Sequence, residues 1–79
     1  PMRSTLKMPK VGDAANEVVI MELLVKVGDA VTEGQNLFVV ETDKAQLEVP
    51  APFAGTVRDI LIKVGEEVPT GAPTLVLEA

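Results

Sequence analysis

Residues 23–31 and 60–68 are two copies of one pattern, and that repeat limits the folds open to this chain more than any other feature. Leu23-Leu24-Val25-Lys26-Val27-Gly28-Asp29-Ala30-Val31 overlays Ile60-Leu61-Ile62-Lys63-Val64-Gly65-Glu66-Glu67-Val68 at a spacing of 37 residues. The register continues, with Gly34 on Gly71, Val39 on Val76 and Glu41 on Glu78. Each copy reads as strand, glycine–acid turn, short strand, glycine turn and strand. Two copies are too few to stack as a solenoid. They suit instead two halves of one small core, related by an approximate two-fold axis.

Strands are expected at roughly 3–8, 17–25, 37–42, 45–50, 56–63 and 74–78, with very short ones near 30–31 and 67–68. No helix is expected, because apolar residues come in β-branched runs or in alternation and Gly or Pro interrupts every longer window. The chain is therefore read as all-β, and its 79 residues as a single domain spanning 1–79. A domain this small buries only about 60% of its unfolded surface. It has no Cys and no His, so neither a disulfide nor a zinc site supports the core. A closed or nearly closed β-structure is the economical solution, because it also protects strand edges.

Composition removes several function classes. Phe38 and Phe53 are the only aromatic residues, so bases have nothing to stack on, and the net charge of −5 repels a phosphate backbone. No apolar run approaches the roughly 20 residues of a bilayer-spanning helix. The chain opens at Pro1 with no visible signal peptide, as expected of a domain taken from a longer chain. The absence of Cys fits a reducing compartment. Catalysis by the chain itself is not expected. It lacks His and Cys, its only Ser is Ser4, and Glu66-Glu67 are adjacent on extended chain, so they point to opposite sides.

One lysine stands out. Leu37-Phe38-Val39-Val40 reads as a strand, and the run from Ala45 alternates, with Leu47 and Val49 apolar and Gln46 and Glu48 polar. Joined through Asp43-Lys44, the two runs form a hairpin with Lys44 at its tip. Asp43 is a suitable turn former, because its carboxylate can bond nearby backbone amides. The missing glycine points to a type I turn rather than type I′. Alternation puts Gln46 and Glu48 on the face of Lys44. A lysine held out on a rigid hairpin is badly placed to pack and well placed to carry something. By the repeat, the opposite end of the molecule carries the turn after Glu78, where the chain runs out into its termini.

Glu41-Thr42-Asp43-Lys44-Ala45 resembles the lipoylation motif of the lipoyl domains in 2-oxo acid dehydrogenase complexes, within the biotinyl and lipoyl attachment family. The likeness runs along nearly the whole chain, through Met8-Pro9, Val25-Lys26-Val27-Gly28-Asp29-Ala30-Val31, Val49-Pro50-Ala51-Pro52-Phe53-Ala54-Gly55, Val64-Gly65-Glu66-Glu67-Val68-Pro69 and Gly71. The resemblance implies a flattened β-barrel or sandwich of two four-stranded antiparallel sheets with quasi-two-fold symmetry. It implies lipoic acid bound covalently through an amide to Lys44. The domain would be a non-catalytic swinging arm from the N-terminal part of a dihydrolipoamide acyltransferase.

The same resemblance implies the partners. A lipoate-attaching ligase or transferase reads the position of Lys44 and its neighbours Asp43, Ala45 and Glu41. A thiamine-dependent 2-oxo acid decarboxylase loads the arm with an acyl group, the acyltransferase core unloads it to coenzyme A, and dihydrolipoamide dehydrogenase reoxidises it. Tethering raises the local concentration of the carried group. The segment Lys10–Asn16 would help the decarboxylase select its own domain. The compartment would be a bacterial cytoplasm or a mitochondrial matrix. Asp43 also serves as a plain turn former, and Glu41 as an acid that keeps an exposed strand soluble.

Two alternatives share the fold. A biotin carrier domain also has a hairpin lysine but typically flanks it with methionines, whereas Lys44 sits between Asp43 and Ala45. An unmodified lipoyl-like structural module would have no need of a lysine at the tip.

Overall fold

The computed structural model describes residues 2–12 and 16–79, and every regular element among them is a strand. In chain order these are β1 (Arg3–Lys7), β2 (Glu17–Leu23), β3 (Ala30–Val31), β4 (Asn36–Glu41), β5 (Gln46–Pro50), β6 (Gly55–Ile60), β7 (Glu67–Pro69) and β8 (Pro73–Glu78). They form two four-stranded sheets in the orders β1-β8-β6-β3 and β5-β4-β2-β7, all neighbours antiparallel. The sheets do not close on each other, so the architecture is a flattened sandwich rather than a barrel.

All eight expected strands are present, and the differences lie at their ends. The long strands expected over 17–25 and 56–63 stop at Leu23 and Ile60, which are repeat-equivalent. Beyond them the chain crosses to the other sheet. Leu24 and Leu61 still donate their amides to Leu37 and Thr74, while Val25 and Ile62 turn inward and are buried. The glycine–acid turns follow. Gly28 has φ 98° and Gly65 φ 89°, left-handed conformations that a side chain strains to adopt.

The two-fold relation is visible bond by bond. Ile20 N–H donates to Glu66 C=O at 2.9 Å, and Val57 N–H to Asp29 C=O at 2.8 Å. Gly34 N–H donates to Ala51 C=O and Gly71 N–H to Met8 C=O, both at 2.8 Å. The second pair shows something the repeat alone does not. Met8 is equivalent to Ala51, so β1 completes the second half of the molecule as β5 completes the first. The half built from β2, β3, β4 and β5 matches the half built from β6, β7, β8 and β1.

Side chains from both sheets fill the core, with Ile20, Leu37, Val40, Val57, Leu75 and Leu77 fully enclosed and Phe38 and Met8 nearly so. The one buried polar side chain among the described residues, Thr74, donates its hydroxyl to Leu6 C=O at 2.8 Å and leaves no orphaned polar group. Leu37, Val49, Pro50 and Pro52 line one cleft together with Leu6, Lys7, Pro9 and Thr74. The β4–β5 and β8–β1 pairs therefore meet at their bases, and their tips point to opposite ends of a molecule 37 Å long.

At the β8–β1 tip the chain ends take the place of a turn. Ala79 N–H donates to Met2 C=O at 3.0 Å, and Arg3 pairs with Glu78. The Arg3 guanidinium lies 2.7 Å from the Glu78 carboxylate and that of Arg58 3.2 Å from it. Their hydrogen bonds hold the Glu78 carboxyl below its usual range.

Candidate functional site

The opposite tip is the turn between β4 and β5. Antiparallel pairing runs Val39↔Glu48, Val40↔Leu47 and Glu41↔Gln46, leaving Thr42, Asp43, Lys44 and Ala45 to reverse the chain. No non-glycine residue among those described has a positive φ, which excludes a type I′ turn here, as the missing glycine predicts.

Thr42 organises this turn. Its N–H donates to Ala45 C=O at 2.9 Å, and its hydroxyl donates to the same carbonyl at 3.2 Å. The hydroxyl oxygen also accepts the N–H of Lys44 at 3.2 Å and that of Ala45 at 3.1 Å. The sequence points to the Asp43 carboxylate for the turn-forming bonds; the bonds that hold the turn come instead from the preceding residue. The signal available was a β-branched hydroxyl residue at the start of the turn, a position where Ser and Thr bond backbone amides.

The four residues singled out from sequence are brought together at this tip. Asp43, Lys44 and Ala45 are all exposed on the turn itself. Ala45 therefore stands outside the apolar alternation, which starts at half-buried Leu47 and buried Val49. Glu41, the last residue of β4, is exposed and accepts a hydrogen bond from the Gln46 amide at 3.5 Å. This pair is equivalent to Glu78 and Arg3 at the other tip, with an amide in place of a guanidinium. Among the described residues both ion pairs involve Glu78, so the Lys44 ammonium has no carboxylate within bridging distance. Residues 13–15 of the segment expected to select the decarboxylase lie outside the described residues.

The backbone of Lys44 is thus fixed while its side chain stands in solvent. This arrangement can present a primary amine to an enzyme at a defined position. Among the described residues there is no cluster of acids suited to a metal ion. Replacing the Thr42 hydroxyl by a methyl in Thr42→Val keeps the branched shape and the Thr42 N–H bond to Ala45 C=O but strands the amides of Lys44 and Ala45, which water must then satisfy. The expected result is a loss of about 1 kcal/mol of stability and faster amide exchange at Lys44 and Ala45, with Thr42→Ser recovering both. Unchanged exchange at those amides would show that the hydroxyl does not hold the turn.

Over 78 residues the chain is 49% identical to the dihydrolipoyllysine-residue acetyltransferase component of the pyruvate dehydrogenase complex of Haemophilus influenzae, covering 99% of this chain and 13% of that protein. It is 45% identical over 73 residues to the component of the same name from Mycoplasma capricolum, covering 92% of this chain and 17% of that one. The chain therefore spans less than a fifth of the length of these relatives. Among solved structures, the lipoyl domain of the 2-oxoglutarate dehydrogenase complex from Azotobacter vinelandii is similar at a TM-score of 0.76 and 25% identity, with 95% of each chain covered. The biotin/lipoyl family model, described as biotin-requiring enzyme, matches residues 4–77. With that match running over nearly its whole length, the chain belongs to the biotin/lipoyl attachment family.

Proposed function

We propose that residues 1–79 form one lipoyl carrier domain, with lipoate held as an amide on Lys44. The observation that carries this reading is the tip of the β4–β5 hairpin. Lys44 is exposed there, free of ion pairs among the described residues, and fixed at its backbone by Thr42. The residues present fit the group. Nothing in the turn competes for the Lys44 amine, and amide formation with a carboxyl activated by ATP removes its charge without disturbing a packed contact. Attached lipoate supplies a dithiolane that takes up an acyl group and two electrons. The protein's part is to hold the arm at one end of a rigid body and give it an address.

Asp43 and Ala45, directly beside the lysine, and Glu41, exposed three residues before it, are the contacts for the lipoate-attaching ligase or transferase. The neighbours of Lys44 are not the methionines typical of biotin carriers. The relatives from Haemophilus and Mycoplasma carry lipoyllysine in their names. Both points favour lipoate over biotin. On this reading the parent chain is a dihydrolipoamide acyltransferase of a pyruvate dehydrogenase complex in a bacterial cytoplasm. The domain is non-catalytic and visits the thiamine-dependent decarboxylase, the acyltransferase core and dihydrolipoamide dehydrogenase in turn. Intact mass after incubation with lipoate, ATP and a lipoate ligase tests it. A single lipoyl adduct is expected, and none when biotin and a biotin ligase are supplied. The reverse pattern would make this a biotin carrier, and no adduct from either would leave an unmodified structural module.

A further inference from the structure

The two sheets share a backbone plan but not a charge. Residues paired directly across neighbouring strands lie on the same face. The pairings Glu17↔Pro69, Val19↔Glu67, Val19↔Glu41, Glu22↔Val39 and Val39↔Glu48 therefore place five carboxylates on the outer face of the sheet β5-β4-β2-β7. All five are exposed, and they surround half-buried Val19 and Val39. No Lys or Arg occurs in any of the four strands. The strands of the other sheet carry three basic residues, Arg3, Lys7 and Arg58, against two acids, Asp59 and Glu78.

The fold does not require this acidity. The positions equivalent to Glu48 and Glu67 are Thr5 and Ala30, and the position equivalent to Gln46 is Arg3. One backbone geometry is thus built with a clustered negative face on one sheet and a mixed face on the other. Neighbouring strands are about 4.8 Å apart, so Glu41 and Glu67, two strands apart, are separated by roughly one Debye length at physiological salt and repel. The acidic sheet is also the one whose hairpin presents Lys44.

We infer that the outer face of β5-β4-β2-β7 is a docking surface for a protein with a basic active-site mouth, and that this partner is the thiamine-dependent 2-oxo acid decarboxylase. The inference rests on the carrier reading of Lys44. The chemistry selects the partner in two ways. A decarboxylase that draws in a 2-oxo acid anion already needs a positive potential at its entrance, which attracts a negative face equally. On the carrier reading it is also a separate chain, whose encounter with the domain is diffusional and gains from electrostatic steering, whereas the acyltransferase core is tethered. Val19 and Val39 supply an apolar centre inside the charged rim, the usual arrangement of a protein interface.

The two-fold relation provides a matched control. Glu22 and Asp59 are equivalent positions, each exposed, each just past a bulge and each paired with a valine, Val39 or Val76. Glu22→Lys and Asp59→Lys change net charge identically on opposite faces. The lipoylated parent and both variants would be assayed as substrates in reductive acetylation by the decarboxylase component of a pyruvate dehydrogenase complex, with pyruvate, across ionic strength. Glu22→Lys is expected to lower kcat/KM on the order of tenfold at low salt, with kcat unchanged and the deficit shrinking as salt rises, while Asp59→Lys stays near the parent. Equal losses in both variants would make net charge the cause, and parent-like rates in both would remove the docking face. A parent that takes no lipoyl adduct would instead defeat the carrier reading, and this inference with it.

Discussion

Lys44→Arg is expected to leave the fold unchanged while abolishing lipoylation and acyl-carrier activity together. The contact that fixes Lys44 is made by its backbone, whose N–H donates to the Thr42 hydroxyl, and any residue except proline retains it. The side chain is exposed and makes no ion pair among the described residues, so a second long cation occupies the same solvent. Surface changes of this kind alter stability by no more than about 0.5 kcal/mol. The chemistry is lost completely, because a guanidinium stays protonated and delocalised at any working pH and does not attack an activated carboxyl. Intact mass after the ligase reaction should show one adduct on the parent and none on the variant, with superimposable thermal unfolding. Exchanging Lys44 and Ala45 tests position rather than chemistry. Moving the amine one residue along the turn redirects it, and lipoylation should fall to background. Efficient modification of the exchanged chain, or unfolding of Lys44→Arg, would contradict the account of a lysine displayed by its backbone.

Much of this was legible in the sequence. The 37-residue repeat carries the succession of strands and turns and the two-fold relation, and the strand-like runs on either side of Asp43-Lys44 carry the Lys44 tip, since each depends on local pattern. What escaped depends on contacts between distant segments. The membership of β1 in the second half is not visible, because Leu6 pairs in role with Val49 and Pro9 with Pro52 at a different spacing and with little identity. Asp43 stands out over Thr42 in the sequence because a turn sequence names candidate bonding residues without showing whose oxygen reaches which amide. The acidic face was hidden by a bulge. Ile20 faces the core, so strict alternation would send Glu22 inward as well, but the register shifts between Ile20 and Glu22 and turns that carboxylate out.

The constraint on Gly55 is also one of distant contact, and the expected effect of replacing it is the largest on stability. In sequence it ends the loop that leads into β6, and unlike the turn glycines its φ is not left-handed. Its constraint is closeness. A Cβ at position 55 would stand 2.6 Å from the carbonyl oxygen of Glu78 and 3.1 Å from its carbon. That carbonyl cannot retreat cheaply. Glu78 pairs with both Thr56 and Arg3, its carboxylate is held by Arg3 and Arg58, and the next amide bonds Met2. Gly55→Ala must push β8 off its neighbours, and overpacking of this kind destabilises by about 1–3 kcal/mol. In a domain this size each kcal/mol lowers Tm by roughly 4–8 °C. Gly28→Ala makes the informative comparison. A Cβ there meets nothing within 4 Å and carries only the strain of a φ of 98°, about 1–2 kcal/mol. Thermal unfolding should therefore rank Gly55→Ala at or below Gly28→Ala, the reverse of what turn chemistry alone suggests. Below its lowered Tm, Gly55→Ala should still accept lipoate on Lys44, because the crowded strand lies at the terminal end of the molecule and the hairpin at the other. A Gly55→Ala domain as stable as the parent would mean that the C-terminal strand yields to the extra methyl, and that the terminal end is not clamped by the bonds described.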